Sequence, residues 1–499
     1  MLSNNINLCL STKKVTQSSA KVCLAAFGSK PTEVTSLTIK VNDKKKHFPL
    51  KEWKSVFEEN NEQEGPYYQK IKVTGLAPNT QYDLSLLSNK EEIIQSGKFE
   101  TLPNELPHKT THSTFRPFTI GFGSCYCIEL DKDRLFSTSL ENLAKNINYK
   151  PYFFGFLGDS VYLDHPASNY YWTPYSEKQL QNDFTAKYQN FYLATRWVRA
   201  NLSTLTLADD HDYHNRYPDN PLFMKLAQLR DKYYMERWRK VARKLYQAFS
   251  SKSAVDQFTI GSDLSFFIAD TRSNRQVNKI NLLSDEDFKK LTDWVTHLNC
   301  PGVLITSQPL FLNKRSYWHP SSFFAEPNIT EWKQYDRLIE TLNNSSHDIV
   351  ILSGDVHFSR LARVKNRGGA KIIEAISSPI SLIEEDEKKE AGLFGDRIEY
   401  FARSKWKLDI DKEPKQFPPS FMAINQDRFD IEYLKAGCPK WHQQTGIIDN
   451  NRTEENFATV SFFKSNSQVE MKIKTWLPRL KSNSSNLPKE DWSYQVSLS

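Results

Sequence analysis

Tyr152 to His165 reads YFFGFLGDSVYLDH: an apolar run interrupted by one glycine, then Gly158-Asp159, then Tyr162, Asp164 and His165. The run is short, aromatic and bounded by glycine, which predicts a strand buried on both faces rather than a helix. Strands of that kind belong to parallel sheets covered by helices, and open sheets so built hold ligands just beyond the carboxyl ends of their strands. Side chains that bind metals or move protons stand at that end of this segment.

The same arrangement recurs. FTIGFGS leads into Cys125, the run from Leu205 leads into Asp209-Asp210-His211-Asp212, and the run from Ile349 leads into Gly-Asp355-Val-His357. LSFFIAD and GVLITSQ add further buried strands. Between them lie helical patterns: Leu180, Phe184, Tyr188 and Phe191 behind a Ser176 cap, and Phe288, Leu291, Trp294, Val295 and Leu298 behind Ser284 with Asp287. Strands alternating with helices predict a layered α/β domain over 115–499. Residues 1–103 differ, with short alternating segments broken by polar turns, as in an all-β sandwich. In VTGLAPNTQYDLSL, Val73 to Leu86, a Pro-Asn turn followed by Tyr82 resembles the tyrosine corner of fibronectin-III/Ig-like domains. The polar stretch from Pro103 to Thr114 reads as a linker. FATVSFF and VEMKIKTW predict an edge hairpin near the end, and Glu384–Glu390 a solvated charged run.

At 499 residues the chain exceeds one ordinary core. A net charge of +7 spread along it, without a basic stripe or a reading module, argues against a dedicated nucleic-acid binder. Six cysteines without a C-x-x-C pair predict reduced thiols rather than a disulfide scaffold. The first residues carry neither an apolar h-region nor a twin-arginine start, and no run of about 18 apolar residues occurs. The expectation is a soluble, cytoplasmic monomer without a transmembrane segment, with export by a route lacking a cleaved signal as the alternative.

One Asp after a strand is often a cap. Four strand ends carrying carboxylates, thiol and imidazole point elsewhere, because clustered carboxylates repel unless cations neutralise them. Thiolate and phenolate beside Asp and His suit ferric iron, and an all-carboxylate pocket suits a hard cation such as calcium, magnesium or manganese. Two metals sharing a carboxylate are a common device for hydrolysing phosphate esters.

The ordered motifs GSC, GDSVYLD, DDHD, DTRSNR and LSGDVHFS resemble the alkaline phosphatase D (PhoD-like) family of metallophosphoesterases. The Gly-Asp-x-x-Tyr frame is also similar to that of purple acid phosphatases. The resemblance spans nearly the whole chain and implies a four-layer αββα metallophosphoesterase domain after an N-terminal β-sandwich. It implies a phosphoric-ester hydrolase, acting on monoesters or diesters by in-line attack of a metal-bound hydroxide. Asp159 would bridge two metals. Cys125, Tyr162 and His357 would complete a ferric-iron site, and Asp210 and Asp355 a calcium site, with magnesium, manganese or zinc as alternatives there. Asp164, Asp209, Asp212 and Glu374 would hold an extra cation or support the ligands. His211 would be the general acid, with Arg272 or Arg275 clamping the phosphoryl group and Asp270 orienting the arginine. Cys127 then remains a thiol without a catalytic part. The alternatives are a non-catalytic, metal-stabilised binding module and a nucleotide- or lipid-directed phosphodiesterase. For the latter, the aromatic segments Asn169–Tyr175 and Arg315–Phe324 would either stack on substrate or form lids.

Overall fold

The structure is a computed structural model and describes residues 6–41, 44–50, 53–57, 64–109, 115–170, 173–220, 224–250, 253–312, 329–357, 359–366, 369–381, 431–437, 455–481 and 486–499. The aromatic segment Arg315–Phe324, the charged run Glu384–Glu390, and Tyr171 and Trp172 lie outside these residues.

Eight strands come first: β1 (Ile6–Val15), β2 (Ser19–Ser29), β3 (Val34–Val41), β4 (Lys44–Pro49), β5 (Lys54–Ser55), β6 (Glu64–Thr74), β7 (Gln81–Ser88) and β8 (Ile93–Glu100). After the linker come β9 (Phe118–Gly123), α1 (Leu135–Ala144), β10 (Phe153–Leu157), α2 (Glu177–Ala194), α3 (Arg196–Asn201) and β11 (Ser203–Leu207). Then follow α4 (Lys225–Arg230), α5 (Tyr234–Phe249), β12 (Val255–Ile260), β13 (Leu264–Ala269), α6 (Asp285–Thr296), β14 (Gly302–Thr306), α7 (Lys333–Asn343) and β15 (Ile349–Ser353). The remaining strands are β16 (Ser359–Lys365), β17 (Lys371–Ile376), β18 (Ile431–Gly437), β19 (Phe457–Ser465), β20 (Gln468–Lys481) and β21 (Pro488–Leu498).

Two large sheets carry the molecule. One has ten strands in the order β21-β20-β19-β9-β10-β11-β1-β2-β6-β5, and the other seven in the order β12-β13-β14-β15-β17-β16-β18. Their centres are parallel: β9, β10 and β11 in the first, and β13, β14, β15 and β17 in the second. Within each sheet the carboxyl ends of these strands therefore lie along one edge.

Period-two alternation decides which side chain goes where. Ile120, Leu157 and Leu207 of the ten-stranded sheet meet Phe266, Ile305, Val350 and Leu352 of the seven-stranded sheet in one core between the sheets. Phe154 and Phe156, one step along, face the other way and pack against Phe184, Phe191, Trp238 and Leu245 of α2 and α5. On the far side Leu304 and Ile351 pack against Leu291, Trp294 and Leu338 of α6 and α7. Each such side chain, fully buried, contributes about 1.5–3 kcal/mol relative to exposure. The helix starts follow the sequence signals. Ser176 and Gln179 close a reciprocal capping box at α2, and the Ser284 hydroxyl accepts from the Asp287 amide at 3.1 Å.

The N-terminal strands divide between two sheets. β4-β3-β7-β8 form a separate four-stranded sheet. β1, β2, β6 and β5 instead extend the ten-stranded sheet, joined to it where Thr12 lies parallel to Ser203. Leu37, Leu84 and Leu86 belong to the same core as the two large sheets. The Tyr82 hydroxyl accepts from the Ala77 amide at 2.8 Å, the corner contact that its sequence setting predicts.

One expectation fails. The hairpin of β19 and β20 is interior, because β19 also pairs with β9 and β20 with β21. The edge strand is β21, whose polar PKEDW start conceals it in the sequence. Among the described residues no helix is long and apolar enough to cross a membrane.

Candidate metal centre

The strand ends are tied together through the backbone. The Cys125 amide donates to Gly158 O at 3.2 Å, Tyr126 to Asp159 O at 2.9 Å and Gly354 to Ser307 O at 2.8 Å. The Asp355 amide donates to the Ser124 hydroxyl at 2.7 Å, joining the two large sheets at their carboxyl ends. Glycine is required at the crossing: a Cβ on Gly354 would stand 2.3 Å from Ser124 Cβ. Cys125, Asp159, Asp355 and His357 have φ of 56°, 50°, 70° and 49°. Left-handed backbone at a non-glycine residue costs on the order of 1–3 kcal/mol and persists only where the surroundings enforce it. Four such residues at converging strand ends mark a built site.

Oxygen atoms of Asp159, Asp209, Asp210 and Asp355 all lie within 4.8 Å of one another, and a second grouping unites Asp159, Asp210 and His211. Asp159, Asp209 and Asp210 are buried and Asp355 is half-buried. Arg272, itself fully buried, lies against two of them, with Nε 2.5 Å from Asp209 and Nη2 3.3 Å from Asp210. That guanidinium cannot balance four carboxylates. Burial, reinforced by Cys125, Asp210 and Asp355, pushes Asp159 far above the ordinary carboxylate range. Burial and Asp355 push the Cys125 thiol up to about 12. Without cations these groups must hold protons; with cations they become ligands, so the donor set fits metal ions.

His211 is held on both sides. Its ring Nδ1 lies 2.8 Å from Asp164 Oδ1, and its amide donates to Asp159 Oδ1 at 3.2 Å. Asp164 also accepts from the Asn215 amide at 2.5 Å. Burial alone would raise Asp164, but His211 and these hydrogen bonds outweigh it and hold the carboxyl down to about 2. Burial lowers His211, and Asp164, Asp210 and Asp159 reverse that, raising it well above the usual histidine value. About a fifth of its side chain, 21%, remains exposed, which gives it access to solvent. Asp212 has a bracing part: it accepts from the Ser160, Val161 and Asp209 amides at 2.9–3.1 Å, although burial pushes it up to about 7.

The thiol side is arranged differently. Cys125 Sγ lies 3.6 Å from Asp159 Oδ2 and 3.3 Å from Asp355 O. Tyr162 lies against His211 with ring centroids 4.5 Å apart and planes tilted by 36°, and packs against Cys127 and Leu130. Burial, then Cys125 and Asp159, push its phenol far up. Cys127 therefore touches the surroundings of the site, and its thiol donates to Glu129 at 3.3 Å. The His357 amide donates to Ser378 at 3.2 Å, but its ring is in neither group of converging ligand atoms.

The other expected residues have mixed placements. Asp270 accepts from the amides of Arg272 and Ser273 and from the Tyr246 hydroxyl, so it holds the turn rather than the guanidinium. Arg275 donates to Thr271 O at 2.7 Å and to Gln308 at 2.6 Å, and lies over the Trp332 ring. Glu374 accepts from the Leu310 and Phe311 amides and pairs with buried Arg360, anchoring the segment after β14. Gln308 was not anticipated. Its Nε2 donates to Asp355 at 2.8 Å and reaches Asp209 at 3.4 Å. The strand-end rule applied to GVLITSQ would have found it.

Among known proteins, the solved structure of PhoD is similar to this chain, with a TM-score of 0.56 and 14% identity over 98% of this chain and 90% of that one. The chain shares the PhoD fold. A sensor domain of the anti-sigma factor RsgI4 from Pseudobacteroides cellulosolvens matches 21% of the chain at a TM-score of 0.16 and 16% identity, which carries no argument. No family model and no curated protein matches the sequence.

Proposed function

We propose that the protein is a metal-dependent phosphoric-ester hydrolase with an N-terminal sandwich domain ahead of a catalytic domain. The observation that carries this reading is the convergence of Asp159, Asp209, Asp210 and Asp355 beside His211, with Asp159 and Asp355 on enforced left-handed backbone at their strand ends. The fold shared with PhoD supports it.

Asp159 and Asp210 are common to both ligand groupings, and Asp159, which also lies against Cys125, is assigned the bridging role. Cys125, Tyr162 and His357 are assigned to an iron-type ion, and Asp210 and Asp355 to a harder, calcium-type ion, with Asp209 beside them. Bound there, such ions would supply Lewis acidity toward phosphoryl oxygens and lower the pKa of water. The protein's own residues do the rest. Asp164 fixes the tautomer and direction of His211 through Nδ1, leaving Nε2 to deliver a proton to the departing alkoxide. Arg272 offsets charge on Asp209 and Asp210, and Gln308 orients Asp355. Arg275 is assigned to the wall of the phosphate site.

The test is hydrolysis of p-nitrophenyl phosphate and its bis ester by the full chain, with and without added iron and calcium. Turnover that EDTA removes and metal restores is expected. Metal-replete protein inert toward both esters would favour the binding-module alternative.

A further inference from the structure

Away from the metal centre, the face of β1, β2 and β6 turned toward the helices carries a second buried charge cluster, of the opposite sign. Lys13 is 7% exposed and Arg199 of α3 is 1% exposed. Lys13 Nζ and Arg199 Nη1 are both buried without a hydrogen-bond partner among the described residues. Arg199 is fixed in place: Nε donates to Thr195 Oγ1 at 2.9 Å, and the guanidinium lies 4.0 Å from the Tyr192 ring centroid and 4.5 Å from that of Phe191. The charged groups acting most strongly on Lys13 are Arg199, Lys70 and Lys21, all cations, and the Cys23 thiol.

Burial increases across these groups. Lys21 is exposed, Cys23 and Lys70 are half-buried, and Lys13 and Arg199 are buried. Cys23 lies opposite Lys70 in the β2–β6 register. Lys70 donates to Gln247 O at 3.0 Å, closing the side next to α5. Rings neutralise one face of a guanidinium but supply no acceptor for its N–H groups. A lysine can shed its proton when buried, yet an arginine cannot, so the cluster keeps at least one charge and several unmatched donors. A small tetrahedral oxyanion offers acceptors in several directions and matches both forks of donors.

We infer that Lys13 and Arg199, with Lys21 and Lys70 at the entrance, form a binding site for a small oxyanion of the orthophosphate class, separate from the metal centre. This assignment does not rest on the hydrolase reading.

Cys23 reports on the site directly. The full chain is treated with N-ethylmaleimide in orthophosphate, in sulfate and in chloride at matched ionic strength, and labelling of each cysteine is read by peptide mass spectrometry alongside the melting temperature. Phosphate is expected to slow labelling of Cys23, leave Cys300 unchanged and raise the melting temperature; sulfate doing the same would mean that the site reads shape rather than protonation. The protection should persist in Asp159→Ala, which separates it from any anion at the metal centre, and should disappear in Lys13→Met. If Lys13→Met does not fold, the entrance variant Lys21→Ala/Lys70→Gln serves, with apparent affinity about 10-fold weaker. Equal protection by chloride, no protection by phosphate or sulfate, or protection that survives Lys13→Met would each overturn the assignment.

Discussion

The two buried charge clusters differ in how the backbone holds them. In the acidic one Asp159 and Asp355, with Cys125 beside them, are held in left-handed conformations at strand ends tied across two sheets. The basic one has no left-handed residue: Lys13 lies at an irregularity in the β1–β2 register and Arg199 in α3. Local strain therefore marks the acidic cluster as a site whose geometry is set before any ion arrives. The basic cluster is held by side-chain contacts, namely the Thr195 hydrogen bond and the rings around Arg199, so its occupant must contribute more of the order.

That contrast can be broken most sharply at Asp159. Asp159→Ala should reduce esterase turnover to background, because it removes a carboxylate that belongs to both ligand groupings and also faces Cys125; turnover at the wild-type rate would refute the site. Next comes the imidazole. Asp164→Asn should lower kcat by on the order of 10²-fold with little change in KM, because it frees the His211 ring without touching a metal ligand. A pure KM effect would place Asp164 in substrate binding instead. The cysteines should then separate: Cys125→Ser should lose bound metal and activity, while Cys127→Ser, which keeps a hydroxyl donor toward Glu129 and packs beside Tyr162, should keep both.

The smallest effect belongs to the basic cluster. Burial, then Arg199, Lys70 and Lys21, depress the folded-state pKa of Lys13. A depressed pKa means stability that is fully present above the unfolded lysine value of about 10.4 and lost as pH falls toward the folded value. In oxyanion-free buffer Lys13→Met should therefore raise the melting temperature more at pH 7 than at pH 10.5. A pH-independent difference would show that Lys13 is not held in a charge-excluding setting.

Much of the layered architecture was legible in the sequence, because apolar runs of fixed length and capped amphipathic helices report burial directly. Ser176, Ser284 and the faces of α2 and α6 are examples. The joining of β1 to β11 was not, since parallel pairing of Thr12 with Ser203, so distant in the chain, leaves no local pattern. Within the candidate site, the carboxylates announced themselves by type and position. Arg272 did not announce its partners: DTRSNR suggests a substrate clamp, while the fold buries the guanidinium against Asp209 and Asp210. Gln308 was passed over because a neutral amide carries no charge signal, although its strand-end position was visible. The pairing of His211 with Asp164 spans 47 residues and depends on how the two loops cross.

The most direct test is metal content measured together with turnover. Wild-type protein and Asp159→Asn, purified in parallel after loading with iron and calcium, would be analysed by elemental mass spectrometry and assayed on p-nitrophenyl phosphate. The account predicts tightly held metal and hydrolysis in the wild type, and loss of both in the variant at unchanged fold. Metal-free wild-type protein that hydrolyses the ester at full rate, or a variant that keeps metal and activity, would contradict it.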